Sequence, residues 1–130
     1  MAGTFKFELV TPERMALSED AAQVVVPGVE GDFTVLPGHA PVISALRPGV
    51  IDVTLPDAKR TRLFVKGGFA EVDAGHLTVL AERALPVDEM DGGVISSELE
   101  VAEAELAAAG DDASRLAAAS AIDRLKALRS

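Results

Sequence analysis

Residues 30–49, EGDFTVLPGHAPVISALRPG, are the most informative segment of the sequence. An acidic-glycine turn, Glu30-Gly31, precedes the short apolar run Phe33–Leu36, and a turn with two prolines, Pro37–Pro41, follows it. A second short run ends at Leu46–Gly49, where Pro and Gly again favour a turn. Two short strands enclosed by turns in this order indicate a β-rich fold.

The same β-rich pattern continues on both sides of this stretch. Apolar residues alternate over Phe5–Leu9 and Ile51–Leu55, as in half-buried strands. Similar runs occur at 23–26, 33–36, 62–66, 69–73 and 77–81. Turn signals separate the runs at Thr11-Pro12, Pro27-Gly28, Pro37-Gly38, Pro48-Gly49, Pro56-Asp57, Gly67-Gly68 and Ala74-Gly75. Many short strands with frequent turns predict an antiparallel β-sandwich or a flattened barrel.

Towards the C terminus the composition changes to Ala, Leu and Glu, which favour helices. Asp88 is predicted to cap a short turn, with Asp91 in the capping-box position. Two helices are expected, separated at Gly110, and Asp111 or Asp112 is predicted to cap the second. The predicted apolar faces carry Ile95, Leu99, Ala102 and Leu106, then Ala118, Ala121, Ile122, Leu125 and Leu128, whereas Glu98, Glu100, Glu103 and Glu105 lie off the first face.

The predicted fold class is therefore α+β. An N-terminal antiparallel β-sandwich or flattened barrel, residues 1–87, is followed by a C-terminal antiparallel two-helix hairpin, residues 88–130. Short isolated helices are marginal in water, so the hairpin must pack on something. Its Ala-rich faces bury little apolar area, and two arrangements remain open: a weakly docked, mobile hairpin or one permanently fixed to its sandwich.

Length and charge exclude several classes of protein. The 130 residues are enough for one ordinary domain or a compact domain with a small appendage, and the absence of Cys excludes disulfides and thiolate chemistry. Residues 1–87 carry 8 basic and 11 acidic groups, residues 88–130 carry 4 and 10, and the net charge is −9. We expect no binding to nucleic acid or anionic lipid, and basic protein partners instead. Without a leader-like start or a long apolar run, the chain is expected to be soluble and unexported.

The sequence predicts no catalytic residue and no metal site. His39 lies in a two-proline turn, where a histidine fixes loop geometry, and His76 follows a hairpin turn. No Ser stands in a G-x-S-x-G context, and Lys66-Gly67-Gly68 lacks the order of a phosphate-binding loop. The carboxylates of Glu8, Glu30 and Asp32 have no feature that marks an acid–base pair.

Three segments of the chain together resemble one family. Residues 30–49, GGFAEV at 67–72 and HLTVLA at 76–81 match, in order and spacing, the epsilon subunit of bacterial F-type ATP synthases, and the match covers most of residues 5–85. The resemblance implies a non-catalytic part of the central-stalk rotor. It implies that the chain couples proton translocation to rotary ATP synthesis without making ATP itself.

The family resemblance also implies partners: the gamma subunit, the c-ring, and the alpha and beta subunits of the catalytic head. By position it assigns c-ring contact to Glu30, Gly31, Asp32, Pro37, Gly38 and His39, and gamma contact to Pro41, Val42, Ile43, Ser44 and Val65. Acidic side chains suit the basic polar loops of a c-ring, and a simply solvated turn is the alternative for Glu30 and Asp32. The expected location is the cytoplasmic face of the bacterial inner membrane, peripheral, with membrane association through the complex only.

In many members of this family the hairpin blocks rotation in the hydrolysis direction. Members that bind ATP there carry an Ile/Leu-Asp-x-x-Arg-Ala motif, whereas residues 95–100 here read ISSELE, without the Asp or the Arg. We therefore expect no cofactor, weak or absent ATP binding and weak inhibition. The candidate regulatory residues are the basic side chains of the second helix, Arg115, Arg124, Lys126 and Arg129.

Two other classes of function remain open from the residues alone. One is a free-standing β-sandwich binding module whose mobile hairpin captures a peptide or a small metabolite. The other is a small sugar-active enzyme that uses two loop carboxylates. A rotor subunit should copurify stoichiometrically with gamma, a metabolite binder should not, and an enzyme should lose turnover when its carboxylate pair is mutated.

Overall fold

A computed structural model describes residues 3–129, apart from the side chains of Arg14 and Ala16. These residues form ten strands, one short 3₁₀ helix and two α-helices. The elements are β1 Phe5–Thr11, β2 Arg14–Ala21, β3 Gln23–Gly28, β4 Gly31–Val35, β5 Val42–Ala45, β6 Gly49–Thr54, β7 Arg60–Val65, β8 Gly68–Asp73, β9 His76–Ala81, β10 Ala84–Pro86, the 3₁₀ helix Val87–Glu89, α1 Gly92–Ala108 and α2 Asp112–Arg129.

The strands form two five-stranded sheets with a shared core between them. The first sheet has the order β2-β1-β9-β8-β5 and the second has the order β10-β7-β6-β3-β4. The core residues without solvent exposure include Phe7, Leu9, Val24, Val26, Ile51, Val53, Leu77 and Val79. The predicted α+β class, a β-sandwich followed by two C-terminal helices, is confirmed.

Three features of the sheets differ from the sequence prediction. Strands β1 and β9 pair in parallel, whereas the other paired strands are antiparallel. Strand β2, RMALSEDA, gives no strand signal because Met, Ala, Leu and Glu favour helix, yet it pairs with β1 along its whole length. Strand β10 has three residues, too few for a periodic pattern, and follows from its pairing with β7.

Pro27-Gly28 was predicted to be a turn and instead ends strand β3. In the β3–β4 ladder Pro27 pairs with Asp32 and Gly28 with Gly31, so the turn consists of Val29 and Glu30. The ladder between β3 and β6 ends at Val25, and Pro27 keeps its role as an acceptor, because its carbonyl oxygen accepts a hydrogen bond from Arg47 N at 3.0 Å.

The helix caps also correct one prediction. Asp88 lies within the 3₁₀ helix, whose N-cap is Pro86, and it does not cap a turn. Asp91 is the N-cap of α1, where its Oδ1 accepts a hydrogen bond from Val94 N at 2.9 Å. Asp111 acts in the same way at α2 by accepting from Ser114 N at 2.7 Å, which confirms the second predicted cap.

The hairpin packs on the outer face of the second sheet. Phe64 of β7 is completely buried in a second apolar cluster, formed with Met90, Ile95, Leu99, Ala102, Ala121, Ile122 and Leu125 and flanked by Val50 and Leu85. The prediction for Glu98 was wrong, because this residue is buried at the hairpin–sandwich contact and paired with Arg83. Leu106 is exposed because the tip of the hairpin projects beyond this cluster.

Candidate functional site

His39 lies in the two-proline turn, as its sequence context predicts, and His76 is the first residue of β9, directly after the turn at Ala74-Gly75. His39 Nδ1 is 2.7 Å from Ala40 O, and His76 Nδ1 is 3.2 Å from Ala74 O. Within the described part of the chain, no group of three or more His, Asp or Glu side chains is arranged to hold a metal ion. The candidate sites are therefore surfaces.

The outer face of the first sheet carries a continuous apolar row. Strand register places Ala45 opposite Phe69, Phe69 opposite Leu80, Leu80 opposite Val10, and Val10 opposite Met15, so the row crosses all five strands. Phe69, Leu80 and Met15 are 56%, 53% and 52% exposed. Large contiguous apolar surface on a soluble protein marks an interaction site. We call Val10, Met15, Ala45, Phe69 and Leu80 the outer row.

A glycine keeps this part of the first sheet tightly paired. Gly68 begins β8 with φ +118°, and a Cβ added there would lie 1.9 Å from Leu80 O. Only glycine has neither the backbone strain nor the clash at this position. The sequence signal GG at 67–68 predicted a junction between strands, and the structure places that junction beside the outer row.

The predicted gamma contacts are distributed unevenly. Ile43 is 69% exposed, and its partner in the ladder is the exposed Glu71, so it lies on the same outer face as the row. Val42 pairs with the buried Val72 and therefore faces inwards at the sandwich edge. Pro41 is exposed, and Ser44 Oγ donates to Ala45 O at 3.0 Å. The side chain of Val65 is completely buried in the core between the sheets, so it is unavailable to a partner and that assignment is corrected.

The acidic turn predicted to meet the c-ring lies at the start of β4. Glu30, Gly31 and Asp32 are exposed, and Gly31 has φ +134°. The Asp32 carboxylate is paired with Arg47. Glu30 has no ion-pair partner among the described side chains. Glu30 is therefore the carboxylate in this turn that is available to a basic partner.

The Pro37-Gly38-His39 turn lies at the opposite end of the same strand. Four residues, 33–36, separate Asp32 from Pro37, which are about 17 Å apart along an extended chain. His39 N donates to Leu36 O at 3.0 Å, and the His39 ring lies 6.4 Å from the Phe33 ring. The six residues predicted for the c-ring thus belong to two turns, and only His39 reaches back along the strand.

The four basic residues of α2 do not form one cluster. Arg115 pairs with Asp112 at 2.6 Å within the first turn of the helix, whereas Arg124, Lys126 and Arg129 lie in its C-terminal half. At 100° per residue, Arg124 lies on the opposite side of the helix from Arg115 and Lys126. Lys126 and Arg129, by contrast, lie about 60° apart on the same side, so the helix presents this pair and two separated charges, and not a single basic patch of four.

A cleft of about 780 Å³ separates the hairpin tip from the sandwich. Its walls include Val29 and Pro48 on one side and Ala113 and Ala117 on the other, with Lys66 and Glu105 at one end. This cleft arises because the hairpin packs against the second sheet near its base, whereas residues 103–108 and 112–117 near its tip are exposed. None of the helices in the described residues is long and apolar enough to cross a membrane.

Comparisons with known proteins agree on one family. Residues 4–87 match the family model of the ATP synthase delta/epsilon chain β-sandwich domain. The chain is 46% identical over 129 residues to the ATP synthase epsilon chain of Parvibaculum lavamentivorans, covering 99% of this chain and 98% of that one. It is also 46% identical over 129 residues to the epsilon chain of Maricaulis maris, covering 99% and 96%.

Two solved structures share the fold of this chain. The fold matches a chain of the Euglena gracilis mitochondrial ATP synthase, OSCP/F1/c-ring, in rotational state 1, with a TM-score of 0.74, 27% identity and coverage of 96% of this chain and 79% of that one. A chain of the Tetrahymena thermophila mitochondrial ATP synthase central stalk and c-ring shares the fold with a TM-score of 0.66 at 13% identity. The sandwich with its uncovered outer row, the hairpin and these matches together place the chain in the family of ATP synthase epsilon chains.

Proposed function

We propose that this chain is a non-catalytic subunit of the central stalk of an F-type ATP synthase, where it couples proton translocation to rotary ATP synthesis. The proposal rests on one observation: a chain of this family carries the exposed apolar outer row on its first sheet. A central-stalk component must transmit torque through firm contacts, and an apolar row across five strands offers about 25 cal/mol of stabilisation per Å² buried. The proposed location is the cytoplasmic face of the bacterial inner membrane, reached through the complex.

We assign the outer row, with Ile43, to the gamma subunit. The row is apolar, lies on a rigid sheet and is left uncovered by the chain's own hairpin. Pro41, which directly precedes β5, is exposed and extends this surface beyond Ile43, whereas Ser44 pairs with the buried Ala70 and therefore faces the inner side of the sheet. A partner that covers the row excludes water from three large side chains that are more than half exposed in the free chain.

We assign the acidic turn at Glu30–Asp32 to the c-ring, with the Pro37-Gly38-His39 turn as a second contact. Glu30 is the uncommitted charge, because Asp32 is held by Arg47. Basic groups on a partner loop would engage Glu30 by charge-assisted hydrogen bonds. The separation of the two turns along β4 predicts two distinct contacts and not one continuous patch.

The hairpin is assigned a weak inhibitory role towards the catalytic head. Lys126 and Arg129 are neighbours on one side of α2, but Arg115 lies about 16 Å away along the axis and Arg124 lies on the opposite side, so their combined attraction for an acidic surface is smaller than that of one cluster of four. The segment that carries the ATP-binding motif in other members contains Glu98 here, which is occupied by Arg83. We therefore propose weak or absent ATP binding.

The experiment is copurification from detergent-solubilised membranes. A tagged chain should recover gamma and the c-ring in stoichiometric amounts. The double variant Phe69→Glu/Leu80→Glu places two charges in the outer row and should lose gamma. Leu116→Glu is the matched control, because Leu116 is a 72% exposed apolar residue on the hairpin, away from the outer row.

Unfolding curves of both variants establish whether the fold is intact. Loss of gamma by the double variant alone supports the assignment, whereas equal recovery of gamma by all three chains contradicts the role of the outer row. Failure of the wild-type chain to recover any synthase subunit would contradict the function itself. A free binding module would then take its place, with the 780 Å³ cleft as the first site to probe.

A further inference from the structure

The hairpin is held to the sandwich by two kinds of contact. One is the second apolar cluster around Phe64. The other consists of polar links: among the described residues, two ion pairs cross between sandwich and hairpin, Arg83–Glu98 and Lys66–Glu105, and Ser120 Oγ donates to Pro48 O at 3.0 Å. The ion pairs differ in which partner is buried.

Arg83–Glu98 buries the hairpin's charge and leaves the sandwich's charge accessible. Arg83 Nη2 donates to Glu98 Oε2 at 2.8 Å, and the side chains are 55% and 8% exposed. Glu98 Oε1 is buried without a hydrogen-bond partner among the described residues. The docked position of Glu98 therefore depends on a single arginine that solvent and other molecules can reach. A buried carboxylate without its cation is strongly unfavourable.

Lys66–Glu105 has the opposite arrangement. The Lys66 side chain is 15% exposed, and that of its partner Glu105 is 55% exposed, with Nζ and Oε1 3.1 Å apart. If Glu105 is removed, the long flexible stem of Lys66 can bring its ammonium group to the water at the edge of the cleft. A glutamate near the middle of a buried helix face has no such freedom. The two pairs should therefore differ in their importance for docking.

We propose that Arg83 is the release point of the hairpin: a carboxylate of a partner protein that binds Arg83 deprives Glu98 of its counter-charge and undocks the hairpin from the second sheet. The hairpin is docked only while Arg83 faces Glu98. The Arg83–Glu98 pair is a property of the isolated chain, so its effect on docking does not depend on the proposed place of the chain in the stalk.

The proposal predicts an asymmetry between the two partners of one ion pair. Removing the cation leaves the buried Glu98 carboxylate without a counter-charge, so Arg83→Gln should release the hairpin. Removing the anion leaves no buried charge unpaired, because the Arg83 side chain is already half exposed to water. Glu98→Met should therefore leave the hairpin docked or hold it more tightly. The double variant Arg83→Gln/Glu98→Met should dock again, because it has no buried charge left to compensate.

A cysteine reporter measures docking directly, because the chain contains no Cys of its own. Ala121→Cys places a thiol at a position that is 1% exposed and lines the cleft facing the sandwich. The rate of thiol labelling should rise about ten-fold or more in Arg83→Gln, remain low in Glu98→Met and return to low in the double variant. Arg115→Gln is the matched control, since Arg115 pairs within its own helix.

A second reporter separates undocking from unfolding. Ala70→Cys is completely buried between the sheets and should stay protected in every background. If Arg83→Gln exposes both thiols, the variant unfolds the sandwich and the proposal is overturned. It is overturned equally if Arg83→Gln and Glu98→Met label at the same rate, because a merely structural ion pair predicts similar losses.

Inorganic phosphate tests competition at Arg83, because it offers guanidinium the same bidentate oxygen geometry as a carboxylate. Phosphate should raise labelling of the Ala121→Cys chain above the rate in chloride of equal ionic strength. The increase should vanish in the Glu98→Met background, where release has no effect on a buried charge. Equal rates in phosphate and chloride would show that Arg83 is not accessible to a competing anion while the hairpin is docked.

Discussion

The hairpin covers the outer face of the second sheet, whereas the outer face of the first sheet is open. The second sheet presents Phe64, Val50 and Leu85, and the hairpin covers them. The first sheet presents Phe69 and Leu80 in the outer row, and nothing in the described chain covers them. Both faces are apolar, so apolar character does not distinguish a surface for internal packing from one for a partner. The distinction comes from which face the C-terminal helices reach.

The route of the chain explains which face is covered. Strand β10 adds to the edge of the second sheet beside β7, and the 3₁₀ helix and α1 follow directly. The hairpin therefore begins at the edge of the second sheet and folds across that sheet's own outer face. The first sheet is on the far side of the sandwich and stays available to another subunit.

The largest expected effect compares the phenylalanines on the outer faces of the two sheets, Phe64 under the hairpin and Phe69 in the outer row. Phe64→Ala removes a ring that is completely buried and should lower the free energy of unfolding by about 3–5 kcal/mol. Phe69→Ala removes a ring that is 56% exposed and should change it by less than about 1 kcal/mol. Urea unfolding followed by circular dichroism measures both.

The same two variants should reverse their order in partner binding. Phe69→Ala should weaken copurification of gamma, whereas a folded fraction of Phe64→Ala should retain it, because the first sheet is untouched. Comparable losses of stability in the two variants would mean that the outer row is covered in the free chain, for example by a second copy. Sedimentation at several concentrations would then detect that association.

The next effect compares one hairpin turn in each sheet. Ala58 in the β6–β7 turn and Ala74 in the β8–β9 turn have φ of +71° and +47°, a region that alanine disfavours. Ala58→Gly and Ala74→Gly should each raise the free energy of unfolding by about 0.5–1 kcal/mol, because the relief of strain exceeds the entropy cost of glycine. Thermal unfolding measures both changes.

Gly75→Ala is the control for these turns. Gly75 has φ +81°, and open space surrounds the position of its missing Cβ, so the substitution adds backbone strain without a clash. It should destabilise the chain. If only Ala58→Gly is neutral, the hairpin packed on the second sheet contributes to the energy of the β6–β7 turn.

The smallest effect is a pH dependence on the covered side. Hydrogen bonding from the Ser114 backbone N–H, and then from its side chain, lowers the pKa of Asp111 from its ordinary value of 3.8. A lowered folded-state pKa means that the cap stabilises α2 fully above pH 3.8 and loses this contribution as the pH falls through the folded value. Amide exchange in α2 should therefore accelerate in acid before that of the first sheet.

Asp111→Asn is the matched variant for the acid effect, because asparagine also caps helices and carries no titrating group. Its α2 amides should lose this part of the pH dependence and keep their protection at neutral pH. An unchanged acid response in Asp111→Asn would assign the effect to other carboxylates.

Local sequence patterns predicted most strands, both helices and the cap at Asp111. They failed for β2, whose residues favour helix, and for Pro27-Gly28, where a turn signal lies inside a strand. In both places pairing with distant strands overrides local preference: β2 pairs with β1, and Pro27 pairs with Asp32 beyond the turn. The placement of Glu98 failed for a related reason, since a partner 15 positions earlier in the chain neutralises it.

The outer row was not predicted at all. Its members come from five strands and are adjacent only because of register across the first sheet. One signal was present, namely that Leu80 and Phe69 are apolar at positions that alternate out of phase with the buried Val79 and Ala70. A strand that is apolar on both faces indicates that each face packs against protein, either from the same chain or from a partner.

The family follows from the order and spacing of three sequence segments. The β-rich body, the helical tail and the turns follow from short-range steric preferences and periodic patterns, which act over a few residues. The tertiary structure alone decided that Val65 is buried, that Glu98 depends on Arg83, and that one outer face is covered while the other is open. These properties depend on which strands pair and on where the hairpin docks, and those contacts join residues far apart in the chain.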